Sequence, residues 1–390
     1  MRQANRIANL PPYFFAQLGK RIAQLKQEGM DVIRIDIGSP DLPPPDFVLQ
    51  ELNRSVAAPS HHTYPGYYGI PALRRAMADY YGSRFGVELD PDTEVIPLIG
   101  SKEGIAHVPT AFVNSGDVVL VPDPGYPTYR MGVTLVEGET YPMPLLAEND
   151  YLPDLEAIPQ DVLRQAALLW LNYPNNPTGA VAPLNFFERA VDFARQHNLL
   201  ICHDAPYADV TYDGYVAPSM LQVEGAKEVV LEFNSLSKSH NMAGWRVGMA
   251  VGSARATKVL ALVKTHLDSG IFRPIQDAAI AALTGDQSWL AERNAIYQER
   301  RDIVLTALQQ AGLRARKPKA GLYLWPQVPA GMTWAGFASR LLEEAGVSVT
   351  PGTAFGQHGE GHVRISVGLA TDRIRQAMDR LTDFMDKANL

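Results

Sequence analysis

Val229-Val230-Leu231-Glu232-Phe233-Asn234-Ser235-Leu236-Ser237-Lys238 carries a strand-like run into a hydroxyl-rich turn that ends on a lysine. The same plan recurs through the middle of the chain. Short apolar runs at 95–99, 118–122, 167–172 and 199–204 lead into polar clusters at 100–102, 123–129, 172–179 and 204–207. Helix-like segments lie between them, and residues 246–251 read as a further strand. Alternation of this kind predicts an α/β fold with a mainly parallel sheet covered by helices on both faces. Ligands of such sheets gather at the carboxyl ends of the strands, where all five clusters fall. One site assembled from five strand ends is therefore expected.

Past residue 285 the pattern changes to a long charged helix (287–312), a short strand pair (321–325 and 362–367) and further amphipathic helices. Together with a strand at 32–37 this reads as a smaller α+β domain. The expected division is a large domain of residues 46–284 and a small domain of 1–45 and 285–390. Pro40-Asp41-Leu42-Pro43-Pro44-Pro45 is a stiff connector between them. No internal repeat or low-complexity tract interrupts the pattern.

Composition narrows the function classes. With 390 residues, 46% of them hydrophobic, the chain can bury a large core. A net charge of −7 argues against a nucleic-acid partner, whose phosphates call for a basic face. The single cysteine, Cys202, lies in the apolar run Leu199-Leu200-Ile201-Cys202 and reads as a core residue, which suits a reducing cytoplasm. The first residues lead into Pro11-Pro12 without an apolar signal core, and no stretch of 18 apolar residues exists. A soluble cytoplasmic protein with no membrane partner is the expectation.

A lysine that attacks a carbonyl must be held at a fixed point, with its charge suppressed by its surroundings. Lys238 is placed in that way, and Ser235 and Arg246 beside it suit a phosphate. Gly100-Ser101-Lys102-Glu103-Gly104, leading from a strand into a helix, adds backbone donors. These features read as the lysine and phosphate cup of pyridoxal 5′-phosphate, an electron sink for amino acid carbanions. A Ser/Lys cluster after a strand is by itself an ordinary polar loop, so the remaining partners decide. Asp204 ends a strand where a carboxylate could hold the protonated ring nitrogen, although a strand-end Asp can also be a helix cap. Tyr207 and Asn176 could bond the cofactor's phenolic oxygen. Tyr126 could stack on the ring, or be core. Arg364, alternating with apolar residues in His362-Val363-Arg364-Ile365-Ser366-Val367, offers a bidentate clamp for a substrate α-carboxylate unless it faces solvent on an edge strand.

Along nearly its whole length the chain resembles the class I/II, fold-type I aminotransferases. The resemblance rests on Asn175-Asn176-Pro177-Thr178-Gly179, Asp204-x-x-Tyr207, Ser235-x-Ser237-Lys238 followed by Arg246, and Arg364. It implies a seven-stranded-type sheet and a homodimer with shared active sites, in which Tyr64 reaches the neighbouring subunit's phosphate. It also implies that Gly38 lies by the substrate carboxylate. Residues 213–219, 225–229, 241–246 and 268–272 look like the LL-diaminopimelate aminotransferase subgroup of lysine biosynthesis. Alanine, aspartate and methionine aminotransferases share parts of these stretches. Where family members often read Lys-Thr-Tyr-Asn, this chain has Lys238-Ser239-His240-Asn241, a departure beside the lysine. The implied reaction is ping-pong transamination between an L-amino acid and 2-oxoglutarate, with a C–S lyase on the same fold as the rival. His358-x-Glu360-x-His362 could place three metal ligands on one strand face, but its glycines favour a loop, and no metal is expected.

Overall fold

The computed structural model describes residues 1–8, 10, 12–329 and 332–388. The strands are β1 (Ile33–Arg34), β2 (Val95–Leu98), β3 (Val118–Asp123), β4 (Glu139–Pro144), β5 (Ala166–Asn172), β6 (Leu200–Asp204), β7 (Val230–Ser235), β8 (Gly248–Gly252), β9 (Tyr323–Leu324), β10 (Val347–Ser348), β11 (Thr350–Pro351) and β12 (Val363–Ser366). Seven of them form one sheet in the order β2-β8-β7-β6-β5-β3-β4. β8 pairs antiparallel with both β2 and β7, and the other neighbours are parallel, so β8 alone runs against the rest.

The two-residue period of the strands sorts their side chains onto two faces. Leu169 and Leu171 of β5, Ile201 of β6 and Val230 of β7 face one core, with helices Pro71–Phe85, Leu184–His197 and Arg273–Thr284 packed on it. Leu168, Trp170, Cys202, Leu231 and Phe233 face the other, under helices Ser101–Phe112, Thr128–Leu135 and Ala254–Leu267. Strands buried on both faces are continuously apolar, which is why they stood out in the sequence. β4 did not: most of Glu139-Thr140-Tyr141-Pro142-Met143-Pro144 is exposed or half-buried at the sheet edge, where Pro is tolerated.

A separate core gathers around the antiparallel sheet β11-β12-β9, the parallel pair β1-β10, and the helices Trp289–Gln310 and Thr371–Lys387. The long helix expected at 287–312 is there, trimmed at both ends. One strand needs correction. Arg246 does not open a strand; it caps a short 3-10 turn with φ +59°, and the strand starts at Gly248. Because β8 runs backward, its start lies at the same sheet edge as the carboxyl ends of its neighbours. That reversal brings Arg246 to the site.

Candidate active site

Lys238 sits in the four-residue helix Leu236–Ser239 that follows β7 directly. Ser235 caps this helix, its hydroxyl accepting from the backbone N–H of Ser237 at 3.2 Å. The Lys238 Nζ donates to the carbonyl of Gly38. Burial, and then the charges of Arg364 and Arg246, push the ammonium down to about 8. The lysine is thus neutral in about a tenth of molecules at pH 7 and in half of them near pH 8.

Asp204 closes β6 and is 5% exposed. Its Oδ2 accepts the Tyr129 hydroxyl at 2.7 Å, whereas Oδ1 is buried with no partner. Burial lifts the carboxyl to about 6, against the opposing pull of the Tyr129 bond and of His203. Tyr129 is itself fixed by stacking on Trp170, with ring centroids 4.7 Å apart. Asn172, at the end of β5, donates to the Asp204 carbonyl at 2.6 Å and accepts from the Asn176 backbone N–H at 2.8 Å. The ends of β5 and β6 and the turn after β5 are braced together by that one amide.

At the other end of the site, helix Ser101–Phe112 begins at Gly100, whose φ is +76°. A Cβ on Gly100 would lie 2.0 Å from Nη2 of Arg246, so only glycine lets the guanidinium rest against the helix N-terminus. Arg246 Nη1 donates to the Ala243 carbonyl at 2.9 Å. Backbone amides at a helix start and an adjacent guanidinium make an anion site. Lys102 is exposed at the rim, its Nζ 5.3 Å from the Tyr13 ring and 5.9 Å from the Tyr126 ring.

Arg364 points inward from β12 and is 4% exposed. Its Nη1 donates to Asn176 Oδ1 and its Nη2 to the Asp36 carbonyl, both at 2.7 Å, while Nε is buried with no partner. The guanidinium lies 4.3 Å from the Tyr323 ring centroid and 4.6 Å from that of Phe355. The hydroxyls of Tyr207 and Tyr323 are 2.7 Å apart. Gly38 passes so near that a Cβ would fall 1.8 Å from the Tyr323 hydroxyl oxygen.

Gly38, Ser101, Lys102, Tyr126, Asn176, Asp204, Tyr207, Ser235, Lys238, Arg246 and Arg364 all line one cavity of about 440 Å3. Of the candidate cofactor- and substrate-binding residues, Tyr64 is absent from its walls; it is 87% exposed. The cavity also includes Asn172, which opens the cluster at 172–179, and Tyr13, Phe15, Arg34, Asp36 and Tyr323, which the sequence reading passed over. Tyr323 sits in the apolar run Gly321-Leu322-Tyr323-Leu324-Trp325, where nothing local separates a site aromatic from a core one. Asn172 did carry a signal, an amide ending an otherwise apolar strand.

Residues 30–381 match the family model described as "Aminotransferase class I and II". The chain belongs to this family. Over 387 residues the aminotransferase is 51% identical to a protein of Moorella thermoacetica named LL-diaminopimelate aminotransferase, covering 99% of each chain. A Dehalococcoides mccartyi protein of the same name is 51% identical over 388 residues, covering all of both. Among solved structures, substrate-bound BacF from Bacillus subtilis superposes with a TM-score of 0.95 at 37% identity, covering 98% of each chain.

The departure at Ser239-His240 lies outside the aminotransferase cavity. His240 is buried behind Lys238, bonded to Ser239 Oγ at 2.8 Å and to Gln287 Oε1 at 3.1 Å, and burial drives it down to about 4. His358 and His362 go to separate partners: His358 Nδ1 lies 3.2 Å from Asp123, and His362 stacks on Trp325 at 5.2 Å. Among the described residues no cluster of three or more His, Cys, Asp or Glu could hold a metal ion, and no helix is long and apolar enough to cross a membrane.

Proposed function

We propose that this aminotransferase binds pyridoxal 5′-phosphate on Lys238 and transfers an amino group from LL-diaminopimelate to 2-oxoglutarate, a reaction of lysine biosynthesis. The observation that carries the cofactor reading is the orphaned Oδ1 of Asp204, a buried carboxylate oxygen in the same cavity as a lysine of suppressed pKa. Such an oxygen calls for a donor from a ligand, and a protonated pyridine nitrogen is one. The Gly100–Arg246 cradle fits the phosphate at the opposite end. The choice of donor follows the two full-length relatives, each about half identical to this chain and named for LL-diaminopimelate.

When bound, the cofactor supplies an electron sink for the negative charge that develops at the substrate Cα. The chain's own groups do the rest. Asp204 would hold the ring nitrogen's proton, Tyr126 would cover the ring, and Tyr207 and Asn176 would donate toward the phenolic oxygen. Ser101, Lys102, Ser235 and Arg246 would retain the phosphate. Arg364, backed by Asn176 and with Gly38 beside it, clamps the α-carboxylate, which fixes the Cα–H bond relative to Lys238. Lys238 Nζ, freed when the donor's amine takes its place, would take the proton from Cα and deliver it to the cofactor carbon bonded to the donor nitrogen, a task suited to an amine whose pKa is near 8. Residues 46–284 form the large domain and 1–45 with 285–390 the small one, a division supported by the separate core around β11-β12-β9, to which Tyr207, Val210 and Tyr212 of the large domain also contribute. As a cytoplasmic homodimer, each subunit would lend Tyr64 to its neighbour's phosphate; the exposure of Tyr64, Tyr67, Tyr68 and Phe272 suits a covered surface.

The test is glutamate formation by cofactor-saturated protein from 2-oxoglutarate and each of LL-diaminopimelate, aspartate, alanine and methionine. LL-diaminopimelate is expected to give the highest kcat/KM. A higher value with another donor overturns the substrate, and no glutamate from any donor overturns the activity. Pyruvate and ammonia from cystathionine without a keto acid would instead identify a lyase.

A further inference from the structure

Arg293 is 3% exposed, lies outside the cavity, and is the second residue to consider behind the lysine after His240. It comes from the long helix Trp289–Gln310, which further along its length belongs to the separate core around β11-β12-β9. Its Nη1 donates to the carbonyl of Lys238 at 3.1 Å and also to that of Ser239. Its Nη2 donates to the carbonyl of Asp209 at 2.6 Å, and Nε and Nη2 share Asn294 Oδ1 at 3.1 and 2.8 Å. No carboxylate among the described residues forms an ion pair with it; the Asp209 side chain is taken by Arg84 at 2.9 Å and by the Tyr80 hydroxyl at 2.6 Å. A buried cation held by neutral carbonyls is a costly arrangement for stability alone.

Its position gives it a use. The carbonyls of Lys238 and Ser239 close a helix of only four residues and have no helical partner of their own. The Asp209 carbonyl lies two residues after Tyr207, on the segment that continues from Asp204. One planar guanidinium therefore joins the backbone that carries the lysine to the backbone that carries Asp204 and Tyr207. We infer that Arg293 is a positioning residue for the reaction, setting where the Lys238 amine stands relative to Asp204 and Tyr207 by tying their two strand ends together from outside the cavity. The inference rests on the proposed role of Lys238. Lysine could not replace it, because a single ammonium cannot span three carbonyls in a plane.

The test compares Arg293→Met and Arg293→Lys with the unaltered protein, each loaded with pyridoxal phosphate. Three readouts are taken: kcat per bound cofactor, KM for the amino donor, and the pH midpoint of the visible absorbance of the lysine-bound cofactor. Arg293→Met is expected to lower kcat about ten- to a hundredfold, the loss that accompanies misplacement on the scale of 1 Å. KM should change by less than about threefold, because Arg364 is untouched. The absorbance midpoint should move by about half a pH unit or more as the lysine's surroundings change. Arg293→Lys should fall between the two. If Arg293→Met does not fold, Arg293→Lys carries the test alone. Normal kcat and an unmoved midpoint in the folded variants would overturn the inference, even with a lowered melting temperature. An unaltered protein that never colours with the cofactor would instead sink the underlying role of Lys238.

Discussion

Asn176 Oδ1 accepts a 2.7 Å hydrogen bond from Nη1 of Arg364, joining the turn after β5 to strand β12 across 188 positions of sequence. The bond holds a buried guanidinium in one plane, and the Tyr323 and Phe355 rings cover it. An arginine restrained in this way loses little further freedom when it binds a carboxylate.

Arg364→Ala should raise KM for both the amino acid and the keto acid by roughly ten- to a hundredfold, the equivalent of one charge-assisted hydrogen-bonded contact. Arg364→Lys should recover little of it, since an ammonium cannot present two parallel donors. Steady-state kinetics decide the point. An unchanged KM in the alanine variant contradicts the clamp.

Asp204→Asn should separate stability from activity. The folded carboxyl titrates near 6, above its ordinary 3.8, so between about pH 4 and 6 the folded state holds a proton that the unfolded state has lost. Stability therefore falls as pH rises through that window, by on the order of 2–3 kcal/mol, and stays lower above it. The amide removes this loss. Cofactor-free Asp204→Asn should be more stable than the unaltered protein at pH 7 and similar to it near pH 4. With the cofactor, its kcat should drop sharply because the amide cannot hold the ring nitrogen's proton. Denaturant melts at the two pH values and a turnover assay check both halves.

In the cofactor-free protein, Lys238 should be the amine most readily labelled by an amine-selective reagent. Its labelling rate should reach half its maximum near pH 8. Removing the positive charge in Arg364→Ala should move that midpoint upward, since Arg364 is one of the charges that depress it. Mass spectrometry of labelled peptides across a pH series measures it; a midpoint near the ordinary 10.5 contradicts the depressed lysine.

Two glycine substitutions probe the ends of the cavity. Gly100→Ala places a methyl 2.0 Å from Arg246 and strains a φ of +76°, so cofactor affinity should fall about tenfold or more. Gly38→Ala drives a methyl into the Tyr323 hydroxyl, so it should lower kcat/KM while leaving cofactor affinity near normal. Fluorescence titration with pyridoxal phosphate and steady-state kinetics distinguish the two. The reverse pattern would show that the ends are misassigned.

Much of this site was legible because chemistry and topology coincide. Asp204, Asn176 and Lys238 each follow an apolar strand, and a parallel sheet must bring such ends together. Tyr129 and Tyr323 were not legible. Their hydroxyls act on Asp204 and Tyr207 through contacts 75 and 116 residues apart in sequence, while their rings look like core. Arg293 was hidden in a charged helix, where arginine is ordinary. Strand β4 was lost because its side chains lie largely at the surface, and Arg246 was read into a strand because nothing local announces that β8 runs backward.

The central claim is tested most directly by treating the protein with pyridoxal phosphate and borohydride, digesting it, and locating the reduced phosphopyridoxyl group by mass spectrometry. The account predicts one dominant modified residue, Lys238, with visible absorbance before reduction that disappears in Lys238→Ala. Stoichiometric modification of another lysine, or unchanged absorbance in that variant, would contradict it.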